Sequence, residues 1–223
     1  MTIRGKLYTA IVVTVAGLAV TAGVGIWALT HLSDRFDAAQ RAADDRALAL
    51  QLKFDVTDFN GWQTAYGYDG GRSRPLFLAS VVRFRVDLAR AKERLRRPQE
   101  IRLLAHVEGA FNDFMRIDEV AWAALQAGST AEVRRLFLGP EIVNFQRAAT
   151  VAQQLAAGED ARAAAEERSF KSARKDALRF LIVAAILAAL LVAILLITAT
   201  DLAKAAERAL PPNRPEDPRS GLS

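Results

Sequence analysis

The sequence predicts an all-α protein, an antiparallel up-down four-helix bundle continuous with two transmembrane helices. Two uncharged apolar stretches, residues 7–30 and 180–200, are each long enough as a helix to cross a hydrocarbon layer about 30 Å thick. Between them, apolar residues recur every three or four positions, which is the period of an amphipathic helix. Prolines, which suit the first turn of a helix, divide this middle region into four pieces. They are Pro75, Pro98 and Pro140.

The two apolar stretches predict a two-pass protein of the cell membrane, in contact with the lipid bilayer. The first stretch exceeds the apolar core of a signal peptide, about 7–15 residues, which favours an uncleaved anchor. Arg4 and Lys6 precede it without an acid and favour a cytoplasmic N-terminus, although basic residues within 171–179 oppose this orientation. The predicted layout is 1–6 cytoplasmic, 7–30 membrane, 31–179 extracytoplasmic, 180–200 membrane, and 201–223 a short cytoplasmic tail, disordered from about 211.

Composition argues against several classes of function. The net charge is +5 and the pI about 9.9, but the charges of residues 33–178 are nearly balanced, so we expect no nucleic-acid partner. His31 and His106 lie far apart without carboxylates at a metal-binding spacing, so neither a metal site nor another cofactor is expected. No nucleotide-binding, nucleophile-elbow or zinc-protease motif occurs, so we expect no catalytic residues and no enzyme activity.

The first bundle helix is predicted over residues 33–67, although Asn60-Gly61 is also a strong hairpin signal. A hairpin needs alternating apolar residues on both sides, and the flanking residues follow a coiled-coil-like period instead. Gly61 is therefore predicted to be helical, and the turn is predicted at 67–73, around Asp69-Gly70-Gly71. The predicted inward stripe is Leu48, Leu52, Asp55, Phe59, Trp62 and Tyr66.

Two further long helices are predicted over residues 75–97 and 99–127. Ser129 and Glu132 fit a capping box that opens a brief helix, which stops at Gly139. The last helix is predicted to begin near residue 141 and to continue into the second span. The inward stripes are Phe77, Val81, Phe84, Leu88, Ala91 and Leu95, and then Ile101, Leu104, Val107, Phe111, Phe114, Asp118, Ala121 and Leu125.

Polar residues are predicted to meet about nine positions from the distal turns when the helices fold up and down. The residues expected at this level are Asp58, Arg83, Asp118 and 146–150. Asp55 and Asp118 fall on apolar stripes, and a buried carboxylate needs a partner, for which Arg83 or Arg147 is expected. Three interpretations stay open: a polar layer that fixes helix register, a sensing pocket, and a solvated groove. The candidate ligand-binding residues are Asn60, Trp62, Gln63, Arg83, Asp118, Asn144 and Arg147.

Several of these residues have alternative interpretations. Trp62 fits a core position as well as a ligand platform. Asn60 and Gln63 are expected to lie off the apolar stripe, where a ligand or a second subunit could reach them. Arg72 and Arg74, at the distal turn, are expected to be solvated or to attract an anion.

Two segments resemble stretches of known sensor domains: "DFNGWQTAYGYD" at 58–69 and "LQAGSTAEVRRLFLGPEIVNF" at 125–145. Together with the order span, bundle, span, they resemble the input half of bacterial methyl-accepting chemotaxis receptors. The resemblance implies a homodimeric chemotaxis sensor that binds a small molecule, often an amino acid or organic acid, in the membrane-distal half of the bundle. It also implies signal transduction by a small movement of the last helix.

The resemblance stops after "ITATDLAKAAERALPP", which looks like the beginning of the receptor adaptor. We therefore expect a sensor without its own output domain, whose output comes from a partner such as a full-length chemoreceptor. Two alternatives stay open. One is a structural or scaffolding membrane bundle, and the other is a truncated receptor remnant.

Overall fold

The computed structural model describes residues 3–209, and this part of the chain is helical and contains no strand. The prediction of an all-α fold is therefore confirmed. The tail predicted to be disordered from about residue 211 lies outside the described residues. The helices are α1 (Ile3–Tyr68), α2 (Arg74–Arg94), α3 (Pro98–Gln126), α4 (Thr130–Leu136) and α5 (Ile142–Ala209), with a π-helical turn, Phe137–Glu141, between α4 and α5.

The described residues form two compact units. One comprises Arg35–Lys171, and the other takes the described residues up to Asp34 and from Ser172 onward. In the latter unit, a Cβ atom at Gly17 of α1 would overlap the side chain of Leu191 of α5, so the two helices are closely packed there. Most large apolar side chains of this unit are exposed. Both α1 and α5 are long and apolar enough to cross a membrane.

The helix α1 runs without a break through Asn60 and Gly61, which confirms the helical prediction for the Asn-Gly pair. The chain turns immediately after α1, where both glycines of Asp69-Gly70-Gly71 have positive φ, 71° and 95°. Glycine adopts this left-handed region without the steric penalty that other residues meet. The Asp69 carboxylate stabilises the turn by accepting hydrogen bonds from the backbone N–H and hydroxyl of Ser73, at 3.2 and 2.6 Å.

The helix α2 ends three residues before its predicted end at position 97. Proline disfavours helical backbone in the residue before it, and Arg97, which precedes Pro98, is extended with φ −69° and ψ 145°. The break therefore has to occur earlier, at Leu95, whose ψ is 101°. The Glu100 carboxylate then accepts the backbone N–H of Arg97 at 2.7 Å and caps the start of α3.

The predicted capping box at the start of α4 is wrong in its side-chain contacts. The helix does begin at Thr130, but the Ser129 side chain makes no capping hydrogen bond. Glu132 instead forms a two-point ion pair with Arg135, at 2.8 and 2.6 Å. The guanidinium of Arg135 offers two N–H donors to the two carboxylate oxygens, so the carboxylate is directed to the arginine and not to the backbone.

The helical path bends where the brief helix was predicted to stop. Gly139 has φ −109° and ψ −108°, outside the helical region, and Pro140 follows it without an N–H to donate. Glu141 is the last residue of this π-helical turn and directly precedes α5. The carboxyl group of Glu141 therefore lies at this bend, directly before α5.

The core of the larger unit consists of aromatic and aliphatic side chains from α1, α2, α3 and α5. Phe59 packs edge-on against Phe84 and Phe111, with ring centroids 5.3 and 5.5 Å apart. Every residue of the predicted α2 stripe is buried. In α3 the expectation for Ile101 is wrong, since its side chain is 52% exposed and the buried Glu100 takes the inward position.

Candidate functional site

A buried polar cluster joins α1, α2, α3 and the π-helical turn. Asp118 of α3 is fully buried, and the Tyr66 hydroxyl of α1 donates a hydrogen bond to its Oδ1 atom. Arg74, the first residue of α2, donates from Nη1 to Asp118 Oδ1 at 2.9 Å, and the same nitrogen lies 2.7 Å from Oδ2. The paired charges explain how a carboxylate can lie in the core, because an unpaired charge there is strongly unfavourable.

Arg74 is fixed by aromatic rings as well as by Asp118. Its guanidinium carbon lies 4.8, 5.0 and 4.8 Å from the ring centroids of Tyr66, Phe77 and Trp122. A cation over an aromatic face is attracted by the ring quadrupole, and more strongly where water is excluded. Only 13% of the Arg74 side chain is exposed, so its charge is directed towards the interior of the bundle.

Glu141 adds a second carboxyl group to the cluster without adding a second cation. It is 1% exposed, and its Oε1 atom accepts a hydrogen bond from the Gln63 amide. Its Oε2 atom is buried and has no hydrogen-bond partner among residues 3–209. Burial raises the pKa of Glu141 to about 9, the charge of Asp118 adds to the rise, and Arg74 opposes it. Glu141 is therefore a neutral acid at neutral pH.

The same environment acts on the other acidic groups of the cluster. Burial raises the pKa of Asp118, while the Tyr66 hydroxyl and Arg74 oppose the rise. Burial also raises the pKa of Tyr66, and the neighbouring Asp118 charge adds to that rise. Arg74 pairs directly with Asp118, which favours the charged form of Asp118 over that of Glu141.

Asp55 is a second buried carboxylate, farther along α1. It is 1% exposed, accepts a hydrogen bond from Gln51 Nε2 at 2.8 Å, and lies 3.9 Å from Arg83 Nε. Burial raises the pKa of Asp55 to about 6, and the nearby Asp87 of α2 adds to the rise. This layer therefore changes charge in mildly acidic solution.

A third set of buried carboxyls lies near the turn between α2 and α3. Glu100 of α3 and Glu159 of α5 are 3% and 1% exposed, and Arg97 Nη2 contacts both carboxyl groups. Arg162 Nη1 lies 3.4 Å from Glu159 Oε2 and 2.9 Å from Asp45 Oδ2 of α1. Burial and the neighbouring Glu100 raise the pKa of Glu159 to about 7.

A cavity of about 400 Å³ opens beside this third set. Glu100 and Glu159 form part of its wall, together with Arg102, Gln154 and Leu155. The volume is within the range of small-molecule sites, about 300–1,000 Å³. Glu100 and Glu159 line this cavity although each is almost fully buried. Residues 3–209 contain no group of three or more side chains suited to hold a metal ion.

The structure brings three of the predicted site residues towards the Arg74 cluster. Asp118 is in its centre, Gln63 bonds to Glu141, and Asn144, which is 8% exposed, follows on the first turn of α5. The expectation that Gln63 lies off the stripe is wrong, because its side chain is 2% exposed. Trp62 packs against the core, and Asn60 is half-buried on α1. A ligand role for these residues stays a prediction.

The expectation that Arg83 or Arg147 pairs with a buried carboxylate is confirmed for Asp55, which lies 3.9 Å from Arg83, and is wrong for Asp118. Arg83 pairs with Asp58 at 2.5 Å, and Arg147 lies 3.5 Å from Asp113. Asp118 is level with Tyr66 and not with Asp58, so Arg83 and Arg147 belong to other layers.

Sequence reasoning missed Arg74 and Glu141 as members of the site. Arg74 was assigned to an exposed turn, and its position directly before Pro75, as the first residue of α2, was the available signal. Glu141 was assigned only to the start of the last helix. No periodic pattern includes it, because the π-helical turn shifts the register.

Comparisons of this chain with protein-family models, with curated proteins and with solved structures found no match.

Replacing Arg74 by Ala leaves the fully buried Asp118 without a cation. Removing one partner of a buried ion pair costs about 3–5 kcal/mol, so we expect a loss of this size in the free energy of unfolding. Chemical denaturation of the full chain in detergent, followed by circular dichroism, measures it. The matched control is Arg72→Ala, since Arg72 is exposed and only bonds a turn carbonyl, and we expect a change within about 0.5 kcal/mol.

The double variant Arg74→Ala/Asp118→Asn removes both charges and should recover most of the lost stability. An equal loss in the Arg72 and Arg74 variants, or no recovery in the double variant, contradicts the assignment of this ion pair.

Proposed function

We propose that this chain is a membrane-anchored, chemoreceptor-like sensor, whose extracytoplasmic helix bundle passes a stimulus through its long helices to a partner. The observation that carries the proposal is the buried cluster in which Asp118 and Glu141 face the single cation Arg74. Apolar residues of similar volume are often neutral or stabilising in place of a buried ion pair, so a purely structural bundle gains little from this arrangement. A sensor gains a group of helices whose packing depends on charge.

Contacts between the helices support an antiparallel up-down bundle. Between α1 and α2, Asp45 pairs with Arg94 and Asp58 pairs with Arg83, so residue numbers rise on one helix as they fall on the other. Between α1 and the last helical segment, Asp45 pairs with Arg162, and Gln63 bonds to Glu141. The opposite trends of the numbers are those of neighbouring antiparallel helices joined by short turns.

The lengths of α1 and α5 support transmission to the membrane. Each combines a stretch of the bundle with a stretch apolar enough to cross the bilayer in one helix. A displacement of α5 by about one ångström is typical of switching between helix packings. The basic N-terminal residues Arg4 and Lys6 support a cytoplasmic N-terminus, which assigns Arg35–Lys171 to the extracytoplasmic side.

An exposed stripe on α1 supports a homodimer. Its members repeat at intervals of four and three residues, which is the heptad period of a two-stranded coiled coil. None of them is charged, and all are exposed in the single chain. Gly61 falls within the stripe, where the absence of a side chain lets a second helix approach closely. The stripe is Ala43, Ala47, Leu50, Phe54, Thr57, Gly61, Thr64 and Tyr68.

The dimer can be tested with single cysteines, because the chain has no cysteine of its own. We expect Phe54→Cys and Gly61→Cys to form disulfide-linked dimers in membranes under mild oxidation, since both positions face the second copy. Val82→Cys on α2 is the control, because Val82 is as exposed as Phe54, 60% against 58%, and lies off the stripe. Cross-linking of Val82→Cys as fast as Phe54→Cys rules out the α1 stripe as the dimer contact.

The sensor proposal predicts that the Arg74 cluster influences the apolar helices. The pair Gly17→Cys/Leu191→Cys reports on the close contact between α1 and α5 in the smaller unit. We expect Asp118→Asn to change the rate of disulfide formation in this pair by about fivefold or more, the lower end of typical coupling between sites. The control is Arg116→Gln on the exposed side of α3, whose charge pairs with Asp113 of the same helix, and it should leave the rate unchanged. Equal rates in both variants and the parent support a scaffold and contradict a sensor.

A further inference from the structure

The contact between α3 and α5 has a carboxyl pair at each end. Asp118 and Glu141 lie at one end, where α5 begins, and Glu100 and Glu159 lie at the other. Each pair has one member on α3. The other member is Glu141 of the π-helical turn at the first end and Glu159 of α5 at the second end. Two carboxylates held together in a core repel each other, so one member of such a pair tends to keep its proton.

Both ends of this contact have one carboxyl more than they have arginines. At the first end two carboxyls share Arg74. At the second end, counting the half-exposed Asp44, four carboxyls share three arginines. The carboxyls are Asp44, Asp45, Glu100 and Glu159, and the arginines are Arg94, Arg97 and Arg162. One proton at each end therefore balances the charges.

The charged groups around Glu159 come from every neighbouring helix. Arg97 and Glu100 face it from the start of α3, and Arg162 faces it from its own helix. Asp45 of α1 also contacts Arg162, at 2.9 Å, and Asp45 in turn contacts Arg94 of α2 at 2.8 Å. The two arginines nearest Glu159 are therefore shared with other carboxylates and neutralise it only in part.

The charged groups around Glu141 are fewer and more deeply buried. Asp118 faces it from α3, Arg74 from α2, and the neutral Tyr66 and Gln63 from α1. Glu141 Oε2 has no hydrogen-bond partner among the described residues, and Arg74, which pairs with Asp118, offsets the burial of Glu141 only in part. This end stays protonated over a wider pH range than the Glu159 end.

We infer that protons are the stimulus of this bundle: Glu100 and Glu159 share one proton while α3 and α5 are in contact, and loss of that proton separates the helices at this end. The inference rests on the proposed sensor function, because it names the stimulus of that sensor. The proton leaves the Glu159 carboxyl to solvent water, which reaches it from the adjoining cavity as the contact loosens, and the two carboxylates then repel each other. At the other end, the neutral Glu141 does not repel Asp118, so the start of α5 stays in contact with α3. The helix α5 therefore tilts away from α3 about its first turn.

The direction of the pH response follows from the carboxyl chemistry. Burial and Glu100 raise the pKa of Glu159 from its ordinary value of 4.5 to about 7. The protonated contact is therefore favoured at low pH, and it is lost as the pH rises through about 7. The response of Glu141 follows the same direction at a higher pH, about 9.

The test measures the distance between α3 and α5 as a function of pH. Spin labels on Ala105→Cys and Gln153→Cys, two exposed positions outside the charge network, report this distance in the full chain by pulsed electron paramagnetic resonance. We expect the distance to lengthen between about pH 5 and pH 9, with a midpoint near 7. Glu159→Gln keeps a neutral side chain of the same shape, so it should hold the short distance at every pH. Glu100→Gln should do the same.

The matched control is Asp160→Asn, since Asp160 is the next residue of α5 and forms an exposed pair with Arg46. We expect it to keep the full pH response. A parent distance that does not change with pH, or a response that persists in Glu159→Gln, overturns the inference.

The Gly17→Cys/Leu191→Cys cross-link separates failure of this inference from failure of the sensor proposal. If Asp118→Asn alters the cross-linking rate and pH does not alter the spin-label distance, the sensor proposal stands and the proton inference is overturned. If the spin-label distance changes with pH, but neither pH nor Asp118→Asn alters the cross-linking rate, proton binding at Glu159 stands and transmission to the apolar helices is overturned.

Discussion

The arrangement of this bundle depends on burying more carboxyl groups than there are arginines to neutralise them. A lone ionised carboxylate in a protein interior is so unfavourable that it pairs with a cation, takes up a proton or remains in contact with water. Asp118 pairs with Arg74. Glu141 has no cation of its own, and burial raises its pKa to about 9, which favours the protonated acid at neutral pH. The rest of the core consists of phenylalanines and aliphatic residues and would be compatible with a purely structural role.

This constraint connects the local structure to the proposed function. The bend at Gly139 and Pro140 brings Glu141 to the start of α5, and the glycine turn after α1 brings Arg74 to the start of α2. Both groups of the cluster therefore lie at helix ends. The uncharged stripe on α1 consists of residues other than those of the Arg74 cluster, so the proposed dimer contact would leave the cluster intact.

The sequence was sufficient for features that depend on local chemistry. Helical period outweighed the Asn60-Gly61 hairpin signal, and the positive φ angles of Gly70 and Gly71 follow from residues that favour them. The partner of Asp118 was not predictable in this way. Which arginine reaches a buried carboxylate depends on the relative heights of the helices. The π-helical turn changes the height of Arg147 on α5 by an amount that no period reveals, and the height of α3 beside Arg74 depends on packing between helices. Glu100 was not predictable from the sequence for the same reason. The helical period alone places the apolar Ile101 inward, and only the contact with Arg97 explains why Glu100 is buried instead.

The central claim, that Glu141 is a neutral acid in the folded bundle, is open to direct spectroscopic measurement. The infrared difference spectrum between the parent chain and Glu141→Gln at neutral pH isolates the absorption of this one side chain. The account predicts the carbonyl band of a protonated carboxylic acid in the parent, lost in the variant and lost in the parent above about pH 9. A difference spectrum that contains only the bands of an ionised carboxylate at neutral pH contradicts it.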